Sequence, residues 1–527
     1  VYVRIDSSCQ TSIPATIAEQ GAPRLGRDPF ERLPFVLGHP RRYLEIGAGG
    51  GIGMMLAHAQ GSETVTGVEI NPDIVQATLS QFPGYGVAPL LADPRNRLVT
   101  AEGRSWASGC PDRFDVVTIT FIQTGVASAS AAFALSEANL FTVEAFEQFL
   151  RLLDEHGLFY VYRRGGNEFL RLITLARESL RRLGVDDARR HLYAASSRAG
   201  GAILLISPMP ISQEDVAKLD RSCGELGIEI LYSPSIPPGA RPPNPFPERV
   251  RELRQTGRPS MEEIVGLYET LIHDPRYETI EQTYVTCNDP KAFVEDYLVD
   301  IGAPVDDRPY FFFHGLHRLS DFPLYFDLKG VGILGGTVIL LLWMGVTFTL
   351  LVGGLILLPL LSRSFRAKGR ATSRRRAATV IAYFSGLGLG YMTVQISFIQ
   401  RFGLFLGHPV YALSVVLLAF LLSSGLGSVA SDGLFRPGRM TFGRTIGLLI
   451  VVLLLYNQLL PAVFHSSLIA WPIAAKIGLS VVLIFPLAFL MGLLFPQGIR
   501  LLNAAEPELI PWAWRANSAA SVLGSIL

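Results

Sequence analysis

The sequence predicts an α/β doubly wound parallel sheet followed by an all-α transmembrane bundle. Three observations carry that expectation. Strand-like and helix-like runs alternate through residues 43–226 at the spacing βαβ units need. A glycine cluster stands between the first of these strands and the first helix. Beyond Lys329 the charge density gives way to long apolar runs.

In chain order, the alternation predicts strands at 43–46, 64–70, 97–101, 114–120 and 158–162, with helices at 52–60, 71–80 and 142–154. The last of these helices puts Val143, Phe146, Phe149 and Leu150 on one face. A helix at 169–183, strands at 191–195 and 202–207, and a helix at 213–226 continue the pattern. The expected organisation is a lead-in over 1–40, a nucleotide-binding domain over 41–232, and a proline-rich connector over 233–247. A charged, mostly helical appendage over 248–328 and a membrane domain over 329–527 follow. Five runs are long enough to cross a bilayer: 331–361, 378–399, 410–430, 446–462 and 469–494. The chain starts at Val1 and stops within an apolar run, so both ends read as cut from a longer protein.

The net charge is +1, which gives nucleic acid no electrostatic footprint. The four cysteines, Cys9, Cys110, Cys223 and Cys287, lie far apart, so neither a zinc site nor a disulfide framework is expected. No metal is expected elsewhere.

The glycine cluster reads Glu45-Ile46-Gly47-Ala48-Gly49-Gly50-Gly51. Its E-x-G-x-G-x-G spacing suits an S-adenosylmethionine loop better than a dinucleotide fingerprint, whose last glycine would fall on Ile52. The second strand ends in Glu69 and Ile70, where an acid can accept from both ribose hydroxyls. The third ends in Glu102 and Gly103, where an acid can meet the adenine edge. The expected cofactor-binding set is therefore Glu45, Gly47, Gly49, Gly51, Glu69, Ile70, Glu102 and Gly103. The alternative is that Glu69 and Glu102 only cap helices.

These pieces, with YLEIGAGGG, VTGVEINPDIV, DPRNRLVTAEGRSW, FDVVTIT and LFTVEAFEQFLRLL in that order, resemble the spermidine synthase superfamily in its bacterial membrane-fused form. VDDRPYFFF, LFLGHPVYALSVVL, SGLGS and PWAWRANSAASVLGS resemble the same relatives further along. The resemblance implies the fold shared by class I S-adenosylmethionine-dependent methyltransferases and spermidine synthases. It also implies S-adenosylmethionine or its decarboxylated form as a bound substrate. Aminopropyl transfer to putrescine needs a base, because the attacking ammonium must lose a proton. The family carries an Asp for this after the fourth strand and another acid soon after. Here Thr120 and Gln123 stand there, and neither is a base near neutral pH. Gly50 and Ile52 replace the usual Asp of the glycine loop, and Glu137 is the nearest remaining acid candidate.

Three functions stay open: a membrane-bound spermidine synthase-like transferase acting on a small amine, a methyltransferase with a membrane-associated acceptor, and a non-catalytic nucleotide-binding domain regulating a transporter. The expected partners are the acceptor and the lipid bilayer, and a homodimer is left open. In the membrane half, Gln395, Gln400, Asn457 and Gln458 admit both functional and helix-packing readings, while the GLGLG and SSGLGS runs read as packing faces. The arginine-rich loop over 362–377 and the loop with Arg436, Arg439 and Arg444 fall on one side, which the positive-inside rule makes cytoplasmic. That puts the soluble domain outside, whereas an adenosyl ligand asks for the cytoplasm, so the side stays open.

Overall fold

The computed structural model describes residues 2–5, 9–13, 29–81, 84, 86–120, 138–196, 201–237, 239–256, 263, 266–267, 270–272, 274–297, 299–314, 343–351, 354, 374–407, 409–434, 442–464 and 467–525. The chain divides into two compact units, Val1–Ile339 and Leu340–Leu527.

The first unit opens with a hairpin of β1 (Tyr2–Ile5) and β2 (Cys9–Ser12). The main elements follow: β3 (Arg42–Ile46), α1 (Ile52–Ala59), β4 (Thr64–Glu69), α2 (Pro72–Gln76), β5 (Arg97–Thr100), α3 (Gly103–Gly109) and β6 (Phe114–Thr120). Next come α4 (Val143–Arg151), β7 (Leu153–Arg164), α5 (Asn167–Arg182), β8 (Leu192–Ser196), β9 (Gly201–Ile206), α6 (Gln213–Leu226), β10 (Glu229–Tyr232) and α7 (Phe246–Thr256). Their eight-stranded sheet has the order β10-β8-β9-β7-β6-β3-β4-β5.

The strands from β5 to β7 pair in parallel, as expected, but β9, β8 and β10 add antiparallel. The sheet is thus mostly parallel, as a doubly wound fold requires, and chain length accounts for its antiparallel edge. Too few residues separate Ser196 from Gly201 for a crossover, and a tight connection leaves only the antiparallel partner. The helix expected over 142–154 stops at Arg151, because Leu152 and Leu153 turn the apolar run into the start of β7. Thr142 caps its other end, accepting from the amide of Ala145.

The apolar core on one face of the sheet takes in more than the sheet and its helices. Tyr284 of α8 (Ile280–Thr286), Phe293 of α9 (Pro290–Asp296), Tyr297, Phe311 and Phe312 belong to the same buried cluster as Phe146 and Phe159. Two buried arginines fasten this later segment. The Arg171 guanidinium donates to the carbonyls of Asp300, Tyr310, Phe311 and Phe313. Arg104 forms a two-pronged pair with Asp306, 2.7 and 2.9 Å, with both side chains almost wholly enclosed. Asp306 also accepts from the Thr142 hydroxyl at 2.7 Å, and its own amide donates to Glu144.

The second unit holds α10 (Arg374–Leu406), α11 (Pro409–Leu434), α12 (Phe442–Phe464), α13 (Ile473–Ala505) and α14 (Ile510–Gly524). Four of these, α10 to α13, are long and apolar enough to cross a membrane, as in a multi-pass membrane protein. Most of the expected span over 331–361 lies outside the described residues, although 343–351 is helical. Arg374 to Arg376, expected in a loop, open α10 instead. A helix does not have to end where its apolar stretch ends, and this one includes the basic residues that precede it. One glycine of each run packs closely, Gly388 and Gly427, while Gly386, Gly390 and Gly425 face open space. A side chain at Gly427 or Gly492 would strike the backbone of the facing helix, and one at Gly388 would strike Asn517. Gln395 is buried, whereas Asn457 and Gln458 are exposed on the surface of α12.

Removing one partner of the enclosed pair strands a buried charge, so Asp306→Ala should destabilise the protein by about 3–5 kcal/mol. Thermal unfolding of the full chain in detergent should show a marked drop in midpoint. Glu63→Ala, which breaks the exposed Arg41 pair, serves as the comparison and should leave the midpoint unchanged.

Candidate functional site

The chain order reverses at β3 and β6. From β3 the chain moves outward through β4 and β5, then returns to the other side of β3 as β6. In open α/β sheets the crevice at such a reversal, beyond the carboxyl ends of the strands, takes the ligand. The tips of β3, β4, β5 and β6 all meet there.

The loop after β3 is made possible by its glycines. Gly47, Gly49 and Gly51 have φ of 77°, 52° and 82°, the left-handed region that side chains resist. Gly51 is also sterically required, since a Cβ there would lie 2.7 Å from Val87. The amides of Gly47 and Ala48 donate to the Val68 carbonyl at 2.7 and 3.1 Å, which pins the loop to the neighbouring strand.

Glu69 ends β4 and braces this loop. One carboxylate oxygen accepts from the Gly49 amide and the other from the Asn71 amide, each at 2.9 Å. A carboxylate offers about four acceptor positions. The two amides use one on each oxygen and leave the others directed elsewhere. Beside it, Ile70 leaves its apolar side chain 39% exposed at the tip of the strand. Glu102 does cap a helix: its oxygens accept from the amides of Arg104 and Ser105 at the start of α3. Gly103 serves packing there, since a Cβ would lie 2.6 Å from Ile46. The Arg104–Asp306 pair holds the same first turn.

Glu45 is placed differently from the other loop residues. Its carboxyl is buried beneath the first turn of α1, accepting from the Met54 amide at 3.0 Å. Gly53 must lack a side chain to make room for it. The Thr120 hydroxyl donates to its other oxygen at 3.3 Å, across the β3–β6 reversal. Burial pushes the Glu45 carboxyl up to about 8, against the lowering effect of those two donors. It is therefore mostly protonated near neutral pH. The Glu45–Thr120 contact is the part of the site that the sequence left hidden. Adjacent strand ends with an acid on one and a hydroxyl on the other were its only signal. Gln123 and Glu137 lie outside the described residues. Among the described residues, no group of three or more His, Cys, Asp or Glu side chains is arranged to hold a metal ion.

The site is thus the crevice of an open, mostly parallel α/β sheet, bordered by a glycine loop and by acids at successive strand tips. The chain is 30% identical over 123 residues to a polyamine aminopropyltransferase of Pectobacterium carotovorum subsp. carotovorum (strain PC1), spanning 39% of that relative and 23% of its own length. It is also similar to a spermidine synthase crystallised with the transition-state analogue AdoDATO, at 19% identity and a TM-score of 0.26, over 35% of this chain and 61% of that one. Human methyltransferase-like protein 13 in complex with SAH is a further similar structure, at 17% identity and a TM-score of 0.28, over 38% of this chain and 86% of that one. No family model matches the chain.

The raised Glu45 value carries a stability prediction with a definite sign. A carboxyl whose folded value lies above its unfolded value of about 4.3 favours the folded state at low pH. That contribution is complete below the unfolded value and is lost as pH rises toward about 8. The unfolding midpoint of the full chain in detergent should fall between about pH 5 and pH 8, and less so in Glu45→Gln. In that variant the Glu281 carboxyl, pushed up to about 7 by burial, still favours low pH, while the buried His314 imidazole, held down to about 4 by burial, opposes it, so the remaining slope should be small.

Proposed function

We propose that the α/β unit binds S-adenosylmethionine or its decarboxylated form at the carboxyl edge of the sheet, and that the chain is a membrane-anchored, spermidine-synthase-like transferase. The bracing of the glycine loop by Glu69 is the observation that best supports this reading. The same carboxylate that shapes the loop keeps acceptor positions for two ribose hydroxyls. Gly47, Gly49 and Gly51 would let the backbone approach the amino-acid end of the ligand. Ile70 would flank the adenine, and Glu102 and Gly103 would meet its edge.

The chemistry is displacement at a carbon next to a sulfonium. One bond forms between that carbon and the acceptor, and one C–S bond breaks, its electron pair staying on sulfur as a neutral thioether. An ammonium acceptor must first give up its proton. Thr120 does not accept it near neutral pH, and Glu45, the carboxyl Thr120 touches, is itself buried and mostly protonated. This contact favours a second reading: methyl transfer to an acceptor that is already nucleophilic and lies in or near the bilayer.

Calorimetry on the full chain in detergent should detect one or both ligands. Glu69→Ala should weaken binding by about 1.5–3 kcal/mol, as expected for a lost hydrogen bond to a charged group. Putrescine with decarboxylated S-adenosylmethionine should yield little spermidine, while lipid extracts tested in parallel report methyl transfer. Folded protein that binds neither ligand would contradict the nucleotide reading, and rapid spermidine formation would contradict the role given to Thr120.

A further inference from the structure

The helical unit contains a groove of about 410 Å³ between α10, α12 and α13, lined by Val380, Phe384, Phe442, Leu501 and Leu502, among others. That volume lies in the range of about 300–1,000 Å³ typical of small-molecule sites. The groove is apolar except at one rim, where Arg376 and Glu506 pair at 3.1 Å. The remaining polar groups along it are already engaged. The Tyr383 hydroxyl donates to the Leu494 carbonyl, and the Thr379 hydroxyl donates to the Arg375 carbonyl. Glu506 is the exception. Its second oxygen, Oε2, is buried and has no hydrogen-bond partner among the described residues. A buried carboxylate oxygen without a donor is costly, so it marks a place where a donor is expected.

The rim lies at one end of the helix bundle. Tyr383 near the start of α10 meets Phe442 at the start of α12, and Arg500 near the end of α13 pairs with Asp432 near the end of α11. Arg375 and Arg444 belong to this end, and Arg515 stacks over Trp512 there at 5.2 Å. Arginine and tryptophan gathered at the end of apolar helices mark the headgroup level of a bilayer.

We infer that this groove holds a phospholipid with a primary-amine headgroup, of the phosphatidylethanolamine type. The acyl chain would lie along the apolar wall. The phosphate matches the Arg376 guanidinium, which has donors to spare. The ammonium supplies the N–H donor that Glu506 Oε2 lacks among the described residues. The rim carries one positive and one negative charge, so a zwitterion balances it. Phosphatidylglycerol would add an uncompensated negative charge, and the quaternary ammonium of phosphatidylcholine has no N–H to donate. This inference rests on the helical unit alone and stands apart from the nucleotide reading.

The test uses the full chain, stripped of lipid in detergent. It is offered an equimolar mixture of phosphatidylethanolamine, phosphatidylcholine and phosphatidylglycerol with matched acyl chains, and bound lipid is identified by native mass spectrometry. The wild-type protein should retain phosphatidylethanolamine about tenfold over either competitor, the ratio that roughly 1.4 kcal/mol confers. Glu506→Gln should lose the preference over phosphatidylcholine, and Val380→Trp, which fills the groove, should lower retention of all three. Leu418→Trp, on the exposed surface of α11, controls for folding and should bind as wild type. Equal retention of the three lipids by wild type would overturn the inference, as would a preference for phosphatidylglycerol or a selectivity unchanged in both groove variants.

Discussion

The Glu69 carboxylate sits where two strands and a loop must agree in position. By accepting from Gly49 on one side and Asn71 on the other, it ties the turn after β3 to the turn after β4. The left-handed glycines allow the loop to take its shape, but permissive backbone does not select one shape on its own. The strand-to-loop bonds from Gly47 and Ala48 to Val68 and the Glu69 brace select it together. The edge where an adenosyl ligand is proposed to lie is thus organised before any ligand arrives, which lowers the ordering cost of binding.

A second constraint acts from a distance. Asp306 stands about two hundred residues beyond Arg104, yet their enclosed pair fixes the first turn of α3, which follows the Glu102 tip. A buried ion pair is weak support for net stability, but it is strict about geometry, since either charge left alone is expensive. Arg171 acts in the same way on the carbonyls that follow Asp300. The late segment therefore completes the core of the α/β unit and steadies one wall of its crevice.

How much of this was legible depends on the range of the interaction. The strands were legible because each is a short apolar run bounded by turns, and the acids at their tips followed from the register of such folds. The antiparallel edge, three of the eight strands, left one trace, the brevity of the 196–201 connection. Pairings such as Arg104 with Asp306 leave no periodic trace and stayed hidden. Glu45 was marked by the motif, but its placement beneath α1 against Thr120 was not legible, because burial and a cross-strand contact leave no local pattern. In the helical unit, apolar length gave the spans, but α10 reaches past its apolar stretch into Arg374–Arg376, where hydropathy marks no boundary.

The central claim is that the Glu69-braced loop is the ligand site, and hydrogen–deuterium exchange addresses it directly. The full chain in detergent would be compared with and without saturating S-adenosylmethionine. The account predicts slowed exchange in peptides that contain the Gly49 and Asn71 amides, where the bound ligand would suppress local opening. Protection confined to other parts of the chain, with these peptides unchanged while ligand is bound, would contradict it.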